Sequence, residues 1–334
     1  MVTHIQFGSI PLYAMPLQRH SGYASCTKCK IEGDYICNRI CFIEIDTNNL
    51  RTDQDFRLKV QEGHHNGTSI LENIPNIDMV KCFPLDYMHL VCLGVMKKLL
   101  VLWCYGKPST KLSFHVISKI SESLLNLSNH VPLEFNRRPR IKRWKATEFR
   151  QFLFYTGPIT LKGRLSNERY INFLTLHISI TILSCKKHFK DLTYSSDLLK
   201  YFVKTFKILY GSEHISHNVH NLLHLTDDVK ILAPLDEFSA FPFENYLQSI
   251  LKTLRKCDRP LAQIIKRHSE RVAQNNIQSK SITSKYFPLY EFEHNTGPTL
   301  YLNMSVMSSQ PNFEETVDSD FSSYTICSKC TNIK

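Results

Sequence analysis

Between Leu85 and Asn275 apolar positions recur at helical spacing; outside that stretch they do not. Tyr87, Leu90, Val91, Val95, Leu99 and Leu102 keep the three-and-four rhythm of one helix face up to Trp103, and Gly106-Lys107-Pro108 stops it. The same rhythm predicts amphipathic helices over Phe114–Asn129, Arg143–Thr156, Asn167–Ser184, Ser196–Tyr210, Ser216–Leu232, Phe243–Lys256 and Pro260–Asn275. Local signals agree. Ser166 can cap the helix that begins at Asn167, Gly211 closes the stretch before His217, and Pro260 sits where a first-turn proline is tolerated.

Upstream, Pro11, Pro16 and Gly22 break residues 1–30, and Gly33, Gly63, Gly67 and Pro75 interrupt the polar stretch 31–77. Beyond Lys280 the pattern decays into a strand or two and then a Ser/Asp/Glu-rich tail ending in Cys327-Ser328-Lys329-Cys330. No internal repeat is visible. The pattern therefore predicts a mainly α fold, with a few strands near residues 1–45 and 285–303.

Composition narrows the setting. With 43% hydrophobic residues over 334 positions, the chain can bury a core of one large or two ordinary domains. No run of about 18 apolar residues lacks charge, so no membrane span is expected. Met1 to Ile10 lacks the pattern of a signal peptide and reads as the middle of a strand, as if the chain began inside a larger protein. Of the 11 cysteines, Cys82, Cys92, Cys104 and Cys185 fall inside apolar helical patterns, which suits a reducing nuclear or cytoplasmic compartment rather than secretion. The 41 basic and 30 acidic residues give a formal charge of +11, which favours a polyanionic partner, most simply nucleic acid, over a small-molecule substrate. A merely soluble basic protein has the same charge. The densest basic run is Arg137, Arg138, Arg140, Lys142 and Arg143, readable as a phosphate contact or as a solvated interhelical loop.

The sharpest chemical signal is split between two distant places. Cys26-Thr27-Lys28-Cys29 is a C-x2-C pair, and His220-Asn221-Leu222-Leu223-His224 puts two imidazoles on one helix face. Together they form the ligand set of a closed tetrahedral zinc site, although Cys29 and His220 lie 191 positions apart. His217, one turn earlier, is an alternative third ring. Core histidines bonded to a carboxylate or carbonyl, and free thiols in a turn, are the plainer readings. Cys37 and Cys41 look incidental, and Cys327 and Cys330 lack a partner pair. Glu244 and Asp86 each open a helix, where an acid is favoured by the helix dipole. Asp227 and Asp228 follow His224 closely, either supporting a site or solvated.

Taken in order, the motifs resemble a family. They are His20-Ser21-Gly22-Tyr23-Ala24-Ser25-Cys26-Thr27-Lys28-Cys29, the stretch from Phe83 to Trp103, Arg143-Trp144-Lys145-Ala146-Thr147-Glu148-Phe149-Arg150, Tyr155-Thr156-Gly157-Pro158, His217-Asn218-Val219-His220, and Ser239-Ala240-Phe241-Pro242-Phe243-Glu244-Asn245-Tyr246. Over residues 9–275 this series resembles transposase-derived proteins of the CACTA (En/Spm) type, whose catalytic domain is related to that of the V(D)J recombinase catalytic subunit. The resemblance implies an RNase H-like core whose Asp-Asp-Glu triad binds two divalent metals, usually Mg²⁺, for phosphodiester cleavage and strand transfer. It also implies a helical insertion between the second and third acids, clasped by a structural zinc. Carried over residue by residue, Cys26, Cys29, His220 and His224 are the zinc ligands and Glu244 is the third acid.

The departures are as informative. Ser9-Ile10-Pro11 stands where the family has its second Asp, and a neutral hydroxyl cannot replace a carboxylate that bridges two hard cations. The first Asp is expected upstream of Met1. On this reading residues 1–45 are a remnant of the RNase H-like core, 46–84 an irregular connector, 85–232 the helical insertion, 233–280 the helices bearing the third acid, and 281–334 a strand remnant and tail. The expected protein is a truncated transposase derivative that no longer cuts or joins DNA, keeping non-specific DNA binding and, by family habit, homodimerisation. Two alternatives stand beside it. One is an active Mg²⁺-dependent nuclease with acids supplied elsewhere, Asp86 and Asp228 being the candidate substitutes. The other is a domesticated protein-interaction module.

Overall fold

The computed structural model describes residues 15–45, 49–127, 144–256 and 258–281, with side chains to residue 274, and two short strands at Leu289–Tyr290 and Val306–Met307. Ser9, the basic run at 137–143, and Cys327 and Cys330 lie outside the described residues. The contact pattern divides the chain into two units, Met1–Ala240 and Phe241–Lys334.

The first unit is mainly helical. A small antiparallel hairpin, β1 (Asp34–Ile36) and β2 (Arg39–Cys41), turns through Cys37 and Asn38, both at positive φ. The short helix α1 (Asp53–Arg57) starts on a capping box between Thr52 and Asp55. Its Phe56 joins Met15, Leu17, Met79, Val80 and Phe83 in a small apolar cluster. Then comes the central helix α2 (Met88–Tyr105), α-helical only from Lys97 and π-helical over Met88–Met96. It is long and apolar enough to cross a membrane by composition, yet it carries Lys97 and Lys98 mid-length and is mostly buried within its unit.

After α3 (Phe114–Leu127), α4 (Ala146–Gln151) widens into a π segment at Phe152–Thr156 and resumes as α5 (Gly157–Leu161). The rhythm alone ended this helix at Thr156. The wide turn explains the continuation, because it removes the clash between a mid-helix proline, here Pro158, and the carbonyl four residues back. Two long helices follow, α6 (Asn167–Leu183) and α7 (Leu192–Tyr210). They form an antiparallel hairpin. Near its open end Asn172 Nδ2 donates to Phe202 O and Thr205 Oγ1, at 3.1 and 2.7 Å, and near its closed end Ser195 Oγ donates to Ser179 O at 3.2 Å. Trp103 of α2 packs edge-on against Phe173 and donates its Nε1–H to Tyr210 OH at 3.0 Å, which fixes the hairpin to the central helix.

The stretch expected as one helix from Ser216 to Leu232 is three pieces: α8 (His217–Asn221), a 3₁₀ turn (Leu222–His224) and α9 (Leu225–Ile231). Gly94 lets α2 pass close beside α8, since a Cβ there would lie 2.4 Å from Asn218 Nδ2.

The second unit contains α10 (Phe241–Leu251) and α11 (Pro260–Ser281), and the strands Leu289–Tyr290 and Val306–Met307 pair antiparallel. The first of these strands falls in the expected window and the second just beyond it. Among the described residues both sheets are two-stranded, and no larger sheet occurs.

Candidate metal centre

Two chain segments meet where the histidines are. Residues after β2 run along the turn that precedes α8: Phe42 N donates to Ile215 O at 2.8 Å, and Cys41 Sγ–H donates to Glu213 O at 3.3 Å. Phe42 also stacks on the His220 ring, with centroids 5.0 Å apart. The loop carrying Cys26 and Cys29 is pinned beneath. Arg51, itself buried, donates to the Cys29 carbonyl at 3.1 Å and to Gln61 Oε1 at 2.6 Å.

The result is a buried set of Cys26, Cys29, His220 and His224 whose ligand atoms all lie within 4.8 Å of one another. Cys29 Sγ is 3.4 Å from Cys26 Sγ and 3.2 Å from His220 Nε2, and the two Nε2 atoms are 3.4 Å apart. A tetrahedral zinc with ordinary bond lengths has edges of about 3.8 Å between sulfurs, 3.6 Å from sulfur to nitrogen and 3.3 Å between nitrogens. The observed edges are within a few tenths of an ångström of these. The set could therefore hold a metal ion such as zinc. A cation also answers a cost the site otherwise carries, because converging lone pairs in a dry core repel and are unsolvated.

The groups around the set favour negative sulfur. Cys26 is held well below the usual thiol range: burial pushes it up, but hydrogen bonds from Cys29, His220 and His224 outweigh that. Cys29 is pushed up, because it donates its proton to Cys26 and is buried. A divalent ion would take the place of protons on these sulfurs. Asn221 lies 3.2 Å from Cys26 Sγ through Oδ1 and 2.8 Å from His217 Nε2 through Nδ2, and Ser25 Oγ is 2.9 Å from His217 Nδ1. Turning the amide over, which ordinary structures rarely distinguish, presents its N–H to a Cys26 thiolate and its carbonyl to a protonated His217 Nε2. This chain of three residues can satisfy either state of the sulfur. His217 thus sits behind the set, not in it, and burial pushes its pKa down to about 4. The outer nitrogens, Nδ1 of His220 and of His224, are buried and have no acceptor among the described residues, unlike most metal-binding histidines.

A second link joins the same two segments, and only its acid was a candidate in the sequence. Lys28, inside the C-x-x-C loop, is buried and donates to Val80 O at 3.0 Å, Phe83 O at 3.1 Å and Asp228 Oδ1 at 2.5 Å. Asp228 stands one turn beyond His224, and its other oxygen accepts Leu85 N–H at 2.8 Å. Spacing alone could have flagged it, since Asp228 continues the i, i+4 face of His220 and His224. A buried lysine had no such signal.

The other acids fall into place accordingly. Asp228 has both oxygens engaged in this clasp. Asp86 accepts the N–H groups of Met88, His89 and Ala240 and pairs with His89 Nδ1, so it caps α2 and anchors residue 240. As candidate substitute acids, both have their oxygens engaged by backbone N–H groups and by fixed side-chain partners. Asp227 is exposed and pairs with Lys230. Glu244 lies in the first turn of α10, in the second unit, part-exposed. Cys37 is exposed, and neither Cys37 nor Cys41 joins the set. Comparison with protein-family models, with curated proteins and with solved structures finds no match to this chain.

Proposed function

We propose that this chain is a transposase-derived protein that keeps a zinc-clasped helical body and does not itself cut or join DNA. The observation that supports this most is the convergence of Cys26, Cys29, His220 and His224 into one buried set across 191 positions. A closed S₂N₂ set with no open position suits structural zinc over a catalytic ion. Two-metal phosphodiester chemistry needs several carboxylates around its ions. Here Glu244 is the acid at a family-matched position, while Asp86 and Asp228 are structurally committed. An RNase H-like core, DNA contact through the basic run at 137–143 and a nuclear or cytoplasmic setting belong to the same proposal.

Metal analysis of the purified chain tests the clasp: about one zinc per chain is expected under the four-ligand reading. Loss of zinc in Cys26→Ser but not in His224→Ala refutes the clasp as drawn. Incubation of labelled DNA with Mg²⁺ or Mn²⁺ tests the rest. No nicking is expected, and nicking that disappears in Glu244→Ala overturns the inactive reading.

A further inference from the structure

The outward side of α7 carries an unusual combination. Along its last turns lie Lys200, Tyr201, Lys204, Lys207 and Ile208, and with Ile45 they line an open groove of about 730 Å³. Tyr201 is 49% and Ile208 75% exposed, so two large apolar groups are held out to solvent on a helix whose other face is fully packed. Single exposed apolar residues are ordinary; a tyrosine and two isoleucines sharing one groove with three lysines are not. Lys200 and Lys204 are exposed, and Lys207 donates to a backbone carbonyl, Ile43 O at 3.3 Å. Lys200 and Lys204 are four residues apart, so they stand about 6 Å apart along the axis with Tyr201 between them.

Positive charge continues past the groove's end. Ser212 lines the groove, and two residues on, His214 O accepts Lys98 Nζ at 3.0 Å. Burial pushes Lys98 down to about 8, and the nearby Arg39 adds to this. Acids flank the groove as well: exposed Glu44 precedes Ile45, exposed Asp197 lies a turn before Lys200, and Glu213 pairs with Lys107. The charged side chains that line the groove itself are the three lysines.

We propose that this face of α7 binds single-stranded nucleic acid, with phosphates along Lys200, Lys204 and Lys207 and a base stacked on Tyr201 against Ile208 and Ile45. A duplex shields its bases within the stack and would use the lysines alone. An acidic peptide would match the charge but gains nothing from an open aromatic platform. The face is distinct from the basic run at 137–143, and the inference does not depend on a transposase origin.

The test is fluorescence anisotropy of the full chain with a labelled oligo-dT of about 12 nucleotides, its duplex with oligo-dA, and a poly-glutamate peptide as competitor. The single strand is expected to bind tightest, with a slope of about −2 in log affinity against log salt for three lysines. Lys200→Glu/Lys204→Glu should abolish binding, and Tyr201→Ala should weaken it about tenfold at unchanged salt slope. All three side chains are exposed, so circular dichroism and metal content should match the wild type and show that the fold is intact. Equal affinity of the variants, tighter binding of the duplex, or equal competition by poly-glutamate each overturns the proposal. Loss of binding only when Arg137 and Arg138 are changed does so as well, because it moves the site elsewhere.

Discussion

Two parts of the first unit are built on opposite principles. The helical hairpin α6–α7 joins neighbours in sequence, buries Phe173, Leu176, Leu199, Phe202 and Phe206, and adds a few neutral hydrogen bonds. The clasp joins residues about two hundred positions apart and does so almost wholly with polar atoms: four candidate ligand atoms and a buried Lys28–Asp228 pair, with Arg51 bracing the cysteine loop. The hairpin's stability comes from non-directional burial, which tolerates small changes. The clasp depends on directional groups that are costly when one partner is missing. The two regions should therefore fail separately, and the clasp first.

The strongest way to break this comparison is to strip the candidate centre of the zinc proposed for it. Chelation, or Cys26→Ser, is expected to cost on the order of 10 kcal/mol of local stability, as for structural zinc generally. Hydrogen exchange should show residues 24–51 and 215–229 losing protection while 167–210 keep theirs. Equal loss in both regions would make them one cooperative element and defeat the contrast.

Next in size is the charge pair. Lys28 and Asp228 have side chains only 7% and 3% exposed, so Asp228→Ala strands a buried ammonium and should cost about 3–5 kcal/mol in urea denaturation. Lys28→Met/Asp228→Leu should recover much of that loss, because the desolvation cost disappears with both charges. A double variant as unstable as the single one would show that the backbone contacts to Val80, Phe83 and Leu85, not the charges, hold the clasp.

A third handle is pH. His64 is buried beside the cysteine loop, donating Nδ1–H to Ala24 O at 2.7 Å; burial and then Arg51 push it down to about 4. The fold holds the neutral ring, so between about pH 6.5 and 4 the unfolded chain binds more protons than the folded one. Stability is full above that window, falls as pH drops through it, and levels off below. The total is about 3 kcal/mol. Measured on metal-free protein, the difference between the stability–pH curves of the wild type and His64→Asn isolates this group. Parallel curves would remove His64 as a cause.

The helical architecture was readable from the chain because its cause is local. Apolar rhythm marked α2, α6 and α7, and Ser166 and Gly211 stand where the caps fall. Rhythm failed where the helix changed its turn geometry. The π segment at Phe152–Thr156 carries the chain past Gly157-Pro158, and the 3₁₀ turn at Leu222–His224 interrupts the histidine helix. The four ligand candidates were nameable because C-x2-C and H-x3-H are conspicuous spacings. Lys28 was not, since nothing in a lysine's neighbours announces that Asp228, Val80 and Phe83 will surround it. Asp86 at a helix start and Asp228 beside the histidines were legible as supporting acids, but their particular partners, backbone N–H groups and Lys28, were not, because the sequence does not display them.

The smallest expected effect is the most discriminating. Tyr210→Phe removes one hydroxyl from the junction of α7 with α2, leaving Trp103 Nε1–H, 1% exposed as a residue, without its acceptor. A stranded buried donor costs about 1–2 kcal/mol, and the ring itself, with Arg169 at 5.9 Å from its centroid, is retained. That loss should appear in urea denaturation and in hydrogen exchange of residues 195–210. It should leave metal content and protection at 24–51 unchanged, because no ligand and no partner of Lys28 or Asp228 touches this junction. If so mild a change in the hairpin lowered metal occupancy, the α2 helix would be transmitting strain through Gly94 and Asn218 to α8, and packing and clasp would have to be treated as one coupled structure.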